Sequence, residues 1–288
     1  MDYIKSMRLS QWIKNLLIFV SAFASSKFSY INFYTLFYIF VSFSLVVSST
    51  YIFNDFKDID IDTKHPTKSN RPIAAGRISK KNGFTFMFFL FFLGNASLYF
   101  FDNRLVIFTL LYTFITFSYS QKLKYLKYFD ILTVSLLFVL RILLGSFAIS
   151  ISTSIPLILF VFFISLGITA GKKLSIVKNH LIKDSNVKDF LIRSYGEENL
   201  LNILKSTLQL SLITYIVWVI VVKSLFLNNL TSVFLSISCI ALYFFNDIFI
   251  ENSYRGLTEE IIENVKGDKS IKYLASIFGL SALIGLIV

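Results

Sequence analysis

A cluster of acids follows the second long apolar stretch of this sequence. It reads Asn54-Asp55-x-x-Asp58-x-Asp60-x-Asp62, so four carboxylates lie within eight residues. If a helix continues through this stretch, Asp55, Asp58 and Asp62 share one face with Asn54 beside them, and Asp60 points elsewhere. Like charges placed together repel unless a cation neutralises them, and oxygen ligands shared with substrate phosphates suit Mg²⁺. We expect a magnesium site at Asp55, Asp58 and Asp62; a solvated acidic loop is the alternative.

Basic residues follow the acids closely. Lys68 and Arg71 come within ten residues of Asp62. The forked Arg side chain and the point charge of Lys are suited to phosphate oxygens. We therefore predict that Lys68 and Arg71 bind phosphate, whereas Lys80 and Lys81 are explained by the positive charge of cytoplasmic loops.

The elements that must position these residues are membrane helices. Hydrophobic residues make up 55% of the 288 residues and charged residues 16%, whereas soluble proteins carry about 25% charged residues. The apolar stretches are continuous rather than alternating, which indicates helices and not a membrane β-barrel. We predict an all-α integral membrane protein with nine transmembrane helices, over about residues 13–26, 31–53, 83–101, 104–119, 129–149, 153–170, 200–223, 229–249 and 271–288.

Positive charge sets the predicted orientation. With a cytoplasmic N-terminus, the inside segments hold 23 of the 28 Lys and Arg residues, and the outside segments hold three. Because Lys and Arg accumulate in cytoplasmic loops, we predict a cytoplasmic N-terminus and an outside C-terminus in the inner cell membrane. The acids then face the cytoplasm. The net charge of +11 is accounted for by this bias, so we expect no nucleic-acid partner.

We expect one domain over residues 1–288, because the sequence has no short repeat and no Gly/Ser linker. Little more than a dozen residues precede the first apolar stretch, and no small-residue cleavage site follows, so we expect no cleavable signal peptide. A homo-oligomer is compatible with the sequence.

The acids and the residues after them resemble the first signature of the UbiA prenyltransferase superfamily. The resemblance is carried by Asn54-Asp55-x-x-Asp58-x-x-x-Asp62 and His65-Pro66-x-Lys68-x-x-Arg71-Pro72-Ile73-Ala74-Ala75-Gly76. It implies a single bundle of nine membrane helices that acts on polyprenyl substrates with Mg²⁺. Asn54 and the three aspartates are then catalytic, and the aspartates are the metal ligands.

Three further stretches resemble one branch of that superfamily, the decaprenyl-phosphate phosphoribosyltransferases. They are Ser10-Gln11-Trp12-Ile13-Lys14-Asn15, Tyr119-Ser120-x-x-Leu123-Lys124 with Asp130 and Leu140-Arg141, and Gly171-Lys172-Lys173. The branch implies transfer of 5-phosphoribose from phosphoribosyl diphosphate to a polyprenyl phosphate. The implied substrate-binding residues are Lys14, Asn15, Lys68, Arg71, Tyr119, Lys124, Arg141, Lys172 and Lys173.

Arg141 is a buried cation by this prediction, since it lies well inside the fifth span. An Arg at a helix centre costs about 2.5–3.5 kcal/mol on insertion scales, so it is expected to face the bundle interior and an anion. An intramembrane partner such as Asp130 or Asp247 is the alternative. For Lys14, the alternative is a side chain that reaches back to the membrane surface.

The sequence departs from the branch at two places. Ser175 and Ile176 stand where the branch carries an acidic residue, and Gly256-Leu257-Thr258-Glu259-Glu260 has Thr258 in place of a proline. Neither change removes a predicted metal ligand.

Two other functions are weighed against phosphoribosyl transfer. A 4-hydroxybenzoate-type aromatic prenyltransferase would use a prenyl diphosphate and a second DxxxD motif, but segment 171–199 offers only Asp184 and Asp189 among lysines. A transporter would place its charges near the midplane on interrupted helices, whereas these acids lie at a boundary. The excess of cations favours two phosphorylated substrates.

Overall fold

The computed structural model describes residues 1–25, 29–64, 67–179, 185–222, 229–258 and 269–287, and within these ranges the regular secondary structure is helical with no strand. The prediction of an all-α protein is confirmed. The first half contains α1 (Asp2–Ser6), α2 (Val20–Ala24), α3 (Tyr30–Lys57), α4 (Ile59–Asp62), α5 (Lys80–Phe101) and α6 (Val106–Gln121). The second half contains α7 (Phe129–Ala148), α8 (Ile155–Lys178), α9 (Ser185–Ser194), α10 (Glu197–Val217), α11 (Asn229–Tyr254) and α12 (Lys269–Ile287).

Segments of 3-10 helix and π-helix connect or extend these α-helices. Four are 3-10 helices, at Leu9–Phe19, Lys68–Asn70, Asn103–Leu105 and Leu123–Tyr125, and Trp218–Val222 is a π-helix that extends α10. The first is unusual because it runs for 11 residues, whereas 3-10 helices rarely exceed three or four. It replaces the first part of the α-helical span that was predicted at 13–26.

Local sequence explains where several helices begin. The Ser29 hydroxyl accepts the Asn32 N–H at the start of α3, and the Ser79 hydroxyl accepts the Asn82 N–H at the start of α5. Serine is a preferred N-cap because its oxygen satisfies an N–H that has no partner in the first turn. A proline lies in the first turn of α8, where its missing N–H costs nothing.

Among the residues that the structure describes, seven helices are long and apolar enough to cross a membrane. They are α3, α5, α7, α8, α10 with its π-helical extension, α11 and α12. α6 has 16 residues and Leu9–Ala24 is also short, so neither is among the seven. These two segments match the remaining predicted spans, and the count of nine and the orientation of the termini stay predictions.

The length of α3 determines where the acidic cluster at its C-terminal end can lie relative to a membrane. Its 28 residues give about 42 Å at 1.5 Å per residue, which exceeds the roughly 30 Å of a bilayer's hydrocarbon core. A helix of this length can cross the core and still extend its last turns into the polar region. Asp55 lies on the last turn of α3, and Asp58 and Asp62 follow directly after it.

The chain divides into two compact units. The first unit comprises Met1–Thr133 and Leu140–Ser152, and the second comprises Val134–Val139 and Thr153–Val288. In the first unit α3 packs against α5, α6 and the 3-10 helix Leu9–Phe19, and in the second α8 packs against α10 and α11 while α11 packs against α12. The single domain over 1–288 stays a prediction.

The first unit contains a hydrophobic cluster to which residues of the acidic stretch contribute. Its buried members are Ile52, Ile73, Ile78, Met87 and Leu90, and Phe56 and Ile59 pack against it. Residues on both sides of the acidic stretch therefore contribute to one core. This packing anchors the segment from the end of α3 to the start of α5.

Candidate active site

The three predicted acids lie where α3 ends. α3 ends at Lys57, Asp58 follows with φ −100° and ψ 9°, and α4 starts at the next residue. A single helix therefore does not continue through all three acids, which was the condition for placing them on one shared face. Asp58 still joins the two helices, since its N–H donates to the Asn54 carbonyl at 3.0 Å and its carbonyl accepts the Asp62 N–H at 2.7 Å.

Arg71 joins the first and last acids of the cluster. Its Nη1 donates to Asp62 Oδ2 at 2.5 Å and to Asp55 Oδ1 at 3.4 Å. Both aspartates are 2% exposed. Buried carboxylates require a partner of opposite charge, because an ion left alone in a low dielectric is very costly. Arg71, predicted as a phosphate-binding residue, is thus held against two of the three acids.

Asp58 has a different set of partners. Its Oδ1 accepts from Lys124 Nζ at 2.6 Å, and its Oδ2 accepts from Asn54 Nδ2 at 2.8 Å. Asn54 is oriented in turn, because Ser120 donates to its Oδ1 at 3.0 Å. Burial disfavours the charged form of Lys124, but its hydrogen bond to Asp58 and the charge of Asp58 outweigh burial and raise the pKa of Lys124.

Arg8 completes the cluster and was not among the site residues predicted from the sequence. Its Nη2 donates to Asp55 Oδ1, and its guanidinium lies 5.3 Å from the centre of the Tyr51 ring. Arg8 is in the left-handed region with φ 52° and ψ 55°, which is uncommon for a residue other than glycine. Backbone strain of this kind is concentrated at functional sites. The sequence signal for a role of Arg8 was its position two residues before the motif Ser10-Gln11-Trp12.

The cluster therefore pairs each aspartate with a cation. Arg8 and Arg71 hold Asp55, Arg71 holds Asp62, and Lys124 holds Asp58. Asp60 is exposed. Such an arrangement can bind a metal through its carboxylates and anionic oxygens through its guanidinium and ammonium groups.

The donors for a metal are carboxylate oxygens. Within the described ranges, no three His, Cys, Asp or Glu side chains converge into a ready-made metal cage. Asp55 and Asp62 instead point at one shared cationic group, that of Arg71. Two carboxylates around one cation suit Mg²⁺, which usually takes one or two carboxylates and fills its other positions with water and substrate phosphate.

A second polar network is buried inside the first unit around Arg141. Arg141 is 3% exposed, its Nε donates to Asn15 Oδ1 at 2.8 Å, and its Nη2 donates to the Tyr112 hydroxyl at 2.8 Å. Asn15 is buried and donates to Ser44 at 2.8 Å. Arg141 also lies 5.0 Å from the centre of the Tyr112 ring. The expectation that Arg141 faces the interior agrees with this burial.

The other predicted residues are distributed over both units. In the first unit, Lys14 is half-buried in the 3-10 helix Leu9–Phe19, Lys68 is half-buried in its own 3-10 turn, and Tyr119 is half-buried in the last turn of α6. In the second unit, Lys172 and Lys173 are half-buried on α8. His65, Pro66, Asp184, Glu259 and Glu260 lie outside the described residues, as does the Asp189 side chain.

The family follows from the sequence itself. A sequence model described as the UbiA prenyltransferase family matches residues 15–245, which is most of the chain. The chain belongs to this family. It is accordingly a multi-pass membrane protein, in agreement with the long apolar helices of the described ranges.

Two relatives resemble this UbiA family member over part of its length. An uncharacterized protein y4nM of Sinorhizobium fredii is 36% identical over 172 residues, which are 58% of this chain and 33% of that protein. A decaprenyl-phosphate phosphoribosyltransferase of Mycobacterium tuberculosis is 30% identical over 175 residues, 59% of this chain and 58% of that protein. The matches thus span between a third and three fifths of these relatives.

A solved structure shares the fold over the whole chain. It is a UbiA homolog from Archaeoglobus fulgidus bound to GPP and Mg²⁺, with a TM-score of 0.66 and 16% identity, and the match covers 100% of this chain and 99% of that one. At this identity the likeness concerns the fold alone. The predicted UbiA-type fold is confirmed.

Proposed function

We propose that this UbiA family member transfers 5-phosphoribose from phosphoribosyl diphosphate to a polyprenyl phosphate and releases diphosphate. The observation that carries the proposal is the paired cluster of three aspartates with Arg8, Arg71 and Lys124 at the end of α3. The Mycobacterium tuberculosis relative, a decaprenyl-phosphate phosphoribosyltransferase, supports this substrate class. A donor with a diphosphate and a further phosphate group needs both a metal and several cations.

Asp55, Asp58 and Asp62 are the proposed metal ligands, and Mg²⁺ is the proposed metal. Asp55 and Asp62 already flank one cationic group, which supports a cation at that position. The A. fulgidus homolog of the same fold is bound to Mg²⁺, which supports the choice of metal. When bound, the ion would supply positive charge to the departing diphosphate. Asn54 orients Asp58.

The cations of the cluster are proposed to bind the phosphate oxygens of the donor. Arg71, Lys124 and Arg8 already lie against the acids, so an anion bound there would meet them directly. Tyr119 and Lys68 are proposed to complete this binding surface. Fixed cations stabilise negative charge that develops on a leaving group, and they need no reorganisation when the reaction occurs.

The acceptor oxygen attacks as the donor bond breaks. An oxygen of the polyprenyl phosphate forms a bond to C1 of the ribose, and the bond between C1 and the diphosphate oxygen breaks. The diphosphate leaves with the electron pair. The phosphate is already an anion, so the reaction requires no strong general base. Lys14, Asn15 and Arg141 are proposed to orient the acceptor phosphate.

Lys172 and Lys173 are proposed as further phosphate-binding residues. The proposal rests on the resemblance of Gly171-Lys172-Lys173 to a branch motif. Lys173 Nζ lies 5.7 Å from the centre of the Tyr195 ring, which restricts where its side chain points. We further propose that the protein lies in the cytoplasmic membrane with its acids facing the cytoplasm, because its positive charge is biased to that side.

A donor screen in detergent tests this function. Purified protein with Mg²⁺ receives a polyprenyl phosphate and labelled phosphoribosyl diphosphate, or a labelled prenyl diphosphate and 4-hydroxybenzoate. We expect label from the first donor in a lipid-linked phosphoribose and none from the second. Prenylation of the aromatic acid without ribose transfer would instead assign an aromatic prenyltransferase. Substrate uptake by proteoliposomes without turnover would indicate a transporter.

A further inference from the structure

The segment after α11 turns back onto α8 within the second unit. α11 ends at Tyr254, and Gly256 has a φ of +79°, a conformation that residues other than glycine rarely adopt. The Leu257 N–H donates to the Asn252 carbonyl at 2.9 Å, which closes the turn. A Cβ added to Gly256 would lie 3.2 Å from the backbone of Asn179, the residue after α8. The turn therefore rests directly on the end of α8.

Thr258 makes the decisive contacts of this turn. Its N–H donates to Ser175 Oγ at 2.9 Å, and its hydroxyl lies 3.0 Å from Ser253 Oγ and 3.3 Å from the Gly171 carbonyl oxygen. Thr258 is 1% exposed, and Ser175 and Ser253 are fully buried. These hydrogen bonds are shielded from water, so a lost partner cannot be replaced easily.

The contacts surround the residues of α8 that precede and follow the two lysines. Gly171 comes directly before Lys172 and Lys173, and a Cβ added to it would lie 2.7 Å from Ser253 Oγ. Ser175 follows them by two residues. Lys178 is also held by this region, because its Nζ lies 4.0 Å from the centre of the Tyr254 ring. The turn after α11 therefore contacts α8 on both sides of Lys172 and Lys173.

We propose that Ser175 and Thr258 are a pair of positioning residues that hold the turn after α11 on α8 and so orient Lys172 and Lys173. The inference rests on the proposed phosphate-binding role of these lysines. Ser175 and Thr258 are also positions at which the sequence departs from the branch pattern. A proline at 258 has no N–H, so it could not donate to Ser175. The hydrogen bond from Thr258 to Ser175 therefore joins the two places at which the sequence departs from the branch.

Four variants separate this bond from the other contacts. Ser175→Ala removes the acceptor of this bond alone. Thr258→Pro removes the N–H and also the hydroxyl that contacts Ser253 and Gly171. Thr258→Ser keeps both the N–H and the hydroxyl and serves as the conservative control. The double variant Ser175→Ala with Thr258→Pro tests whether the two residues act as one unit, because partners in a single bond give non-additive effects.

The first readout is hydrogen exchange, which is independent of substrate. We expect Ser175→Ala to accelerate amide exchange in a peptide over 253–258 and to leave a peptide over 42–52 in α3 unchanged, with Thr258→Ser like the wild type. Unchanged exchange in the first peptide would overturn the proposed bond. This readout stands even if phosphoribosyl diphosphate proves not to be the donor.

The second readout is the division between KM and kcat for the donor. We expect Ser175→Ala and Thr258→Pro each to raise the KM for phosphoribosyl diphosphate at least about fivefold with kcat within about twofold. The double variant is expected to match Thr258→Pro, which already lacks the bond to Ser175. Faster exchange with an unchanged KM would overturn the positioning role. If the donor screen assigns another phosphorylated donor, the same KM comparison is made with that donor. Failure of the proposed function is then distinguished from failure of the positioning role.

Discussion

The aspartates of this protein are bound by cations that come from distant parts of the sequence. Arg8 is 47 residues from Asp55, and Lys124 is 66 residues from Asp58. Residue type and spacing were sufficient to predict the acids, because four carboxylates in eight residues are costly without a cation. They were not sufficient to predict Arg8, since nothing in its neighbourhood shows that the chain adopts a left-handed conformation there. Lys124 was found only because it lies in a second motif.

Replacement of Arg8 tests the role of the missed residue. We expect Arg8→Gln to lower kcat/KM for phosphoribosyl diphosphate about tenfold or more, which corresponds to about 1.4 kcal/mol of lost transition-state stabilisation. The reason is that Arg8 contacts the buried Asp55 and would also meet the bound donor. The measurement is steady-state phosphoribosyl transfer in detergent.

Arg77→Gln is the matched control for that substitution. Arg77 donates to Asp2 at 3.1 Å on the surface of the same unit, and exposed ion pairs contribute little. We expect its activity to stay within about twofold of the wild type. Equal activity of Arg8→Gln and Arg77→Gln would contradict a role for Arg8 in the site.

At the scale of elements, helix positions were predicted better than helix type. Predicted spans such as 31–53, 129–149 and 229–249 agree with the cores of α3, α7 and α11, because a continuous apolar stretch of this length has few alternatives in a membrane. The 3-10 winding of Leu9–Phe19 could not be predicted, since the same apolar residues suit an α-helix. The break at Asp58 was equally invisible, as no glycine or proline marks it.

Close backbone packing at Gly145 accompanies the 3-10 helix. A Cβ added to Gly145 would lie 1.9 Å from the Ile18 carbonyl oxygen, so Leu9–Phe19 lies directly on α7. We expect Gly145→Ala to destabilise the protein by about 1–3 kcal/mol or more, because backbone atoms must move apart. Thermal unfolding in detergent measures this effect.

Gly279→Ala provides the comparison for Gly145. Gly279 lies within α12, and a Cβ added there meets no atom within 4 Å. We expect its unfolding midpoint to change little, since alanine is the better helix former. A Gly145→Ala protein as stable as Gly279→Ala would contradict the close contact between Leu9–Phe19 and α7.

For the whole molecule, composition and charge already indicated a membrane protein, and the family match and the long apolar helices agree. The division into two compact units was not predicted, because the sequence carries no linker between them. Contacts within each unit involve residues far apart in the chain, and these leave no mark on composition. The distribution of positive charge nevertheless makes a definite prediction about orientation.

Labelling at the two ends of α5 tests the orientation. In a Cys239→Ser background, we expect Lys81→Cys to react with a membrane-impermeant maleimide only from the cytoplasmic side, and Asn103→Cys only from the outside. Both positions are exposed and lie just inside and just beyond the helix Lys80–Phe101. The reverse pattern would place the acids on the outer face.

The most direct test of the central claim compares two acids of the same segment. The rate of label transfer from phosphoribosyl diphosphate to polyprenyl phosphate is measured for the wild type, Asp58→Ala and Asp60→Ala, with Mg²⁺ and with a chelator. We predict metal-dependent transfer by the wild type and by Asp60→Ala, because Asp60 is exposed. We predict that Asp58→Ala lowers the transfer rate about a hundredfold or more. Full turnover by Asp58→Ala, or transfer that survives chelation, would contradict the account.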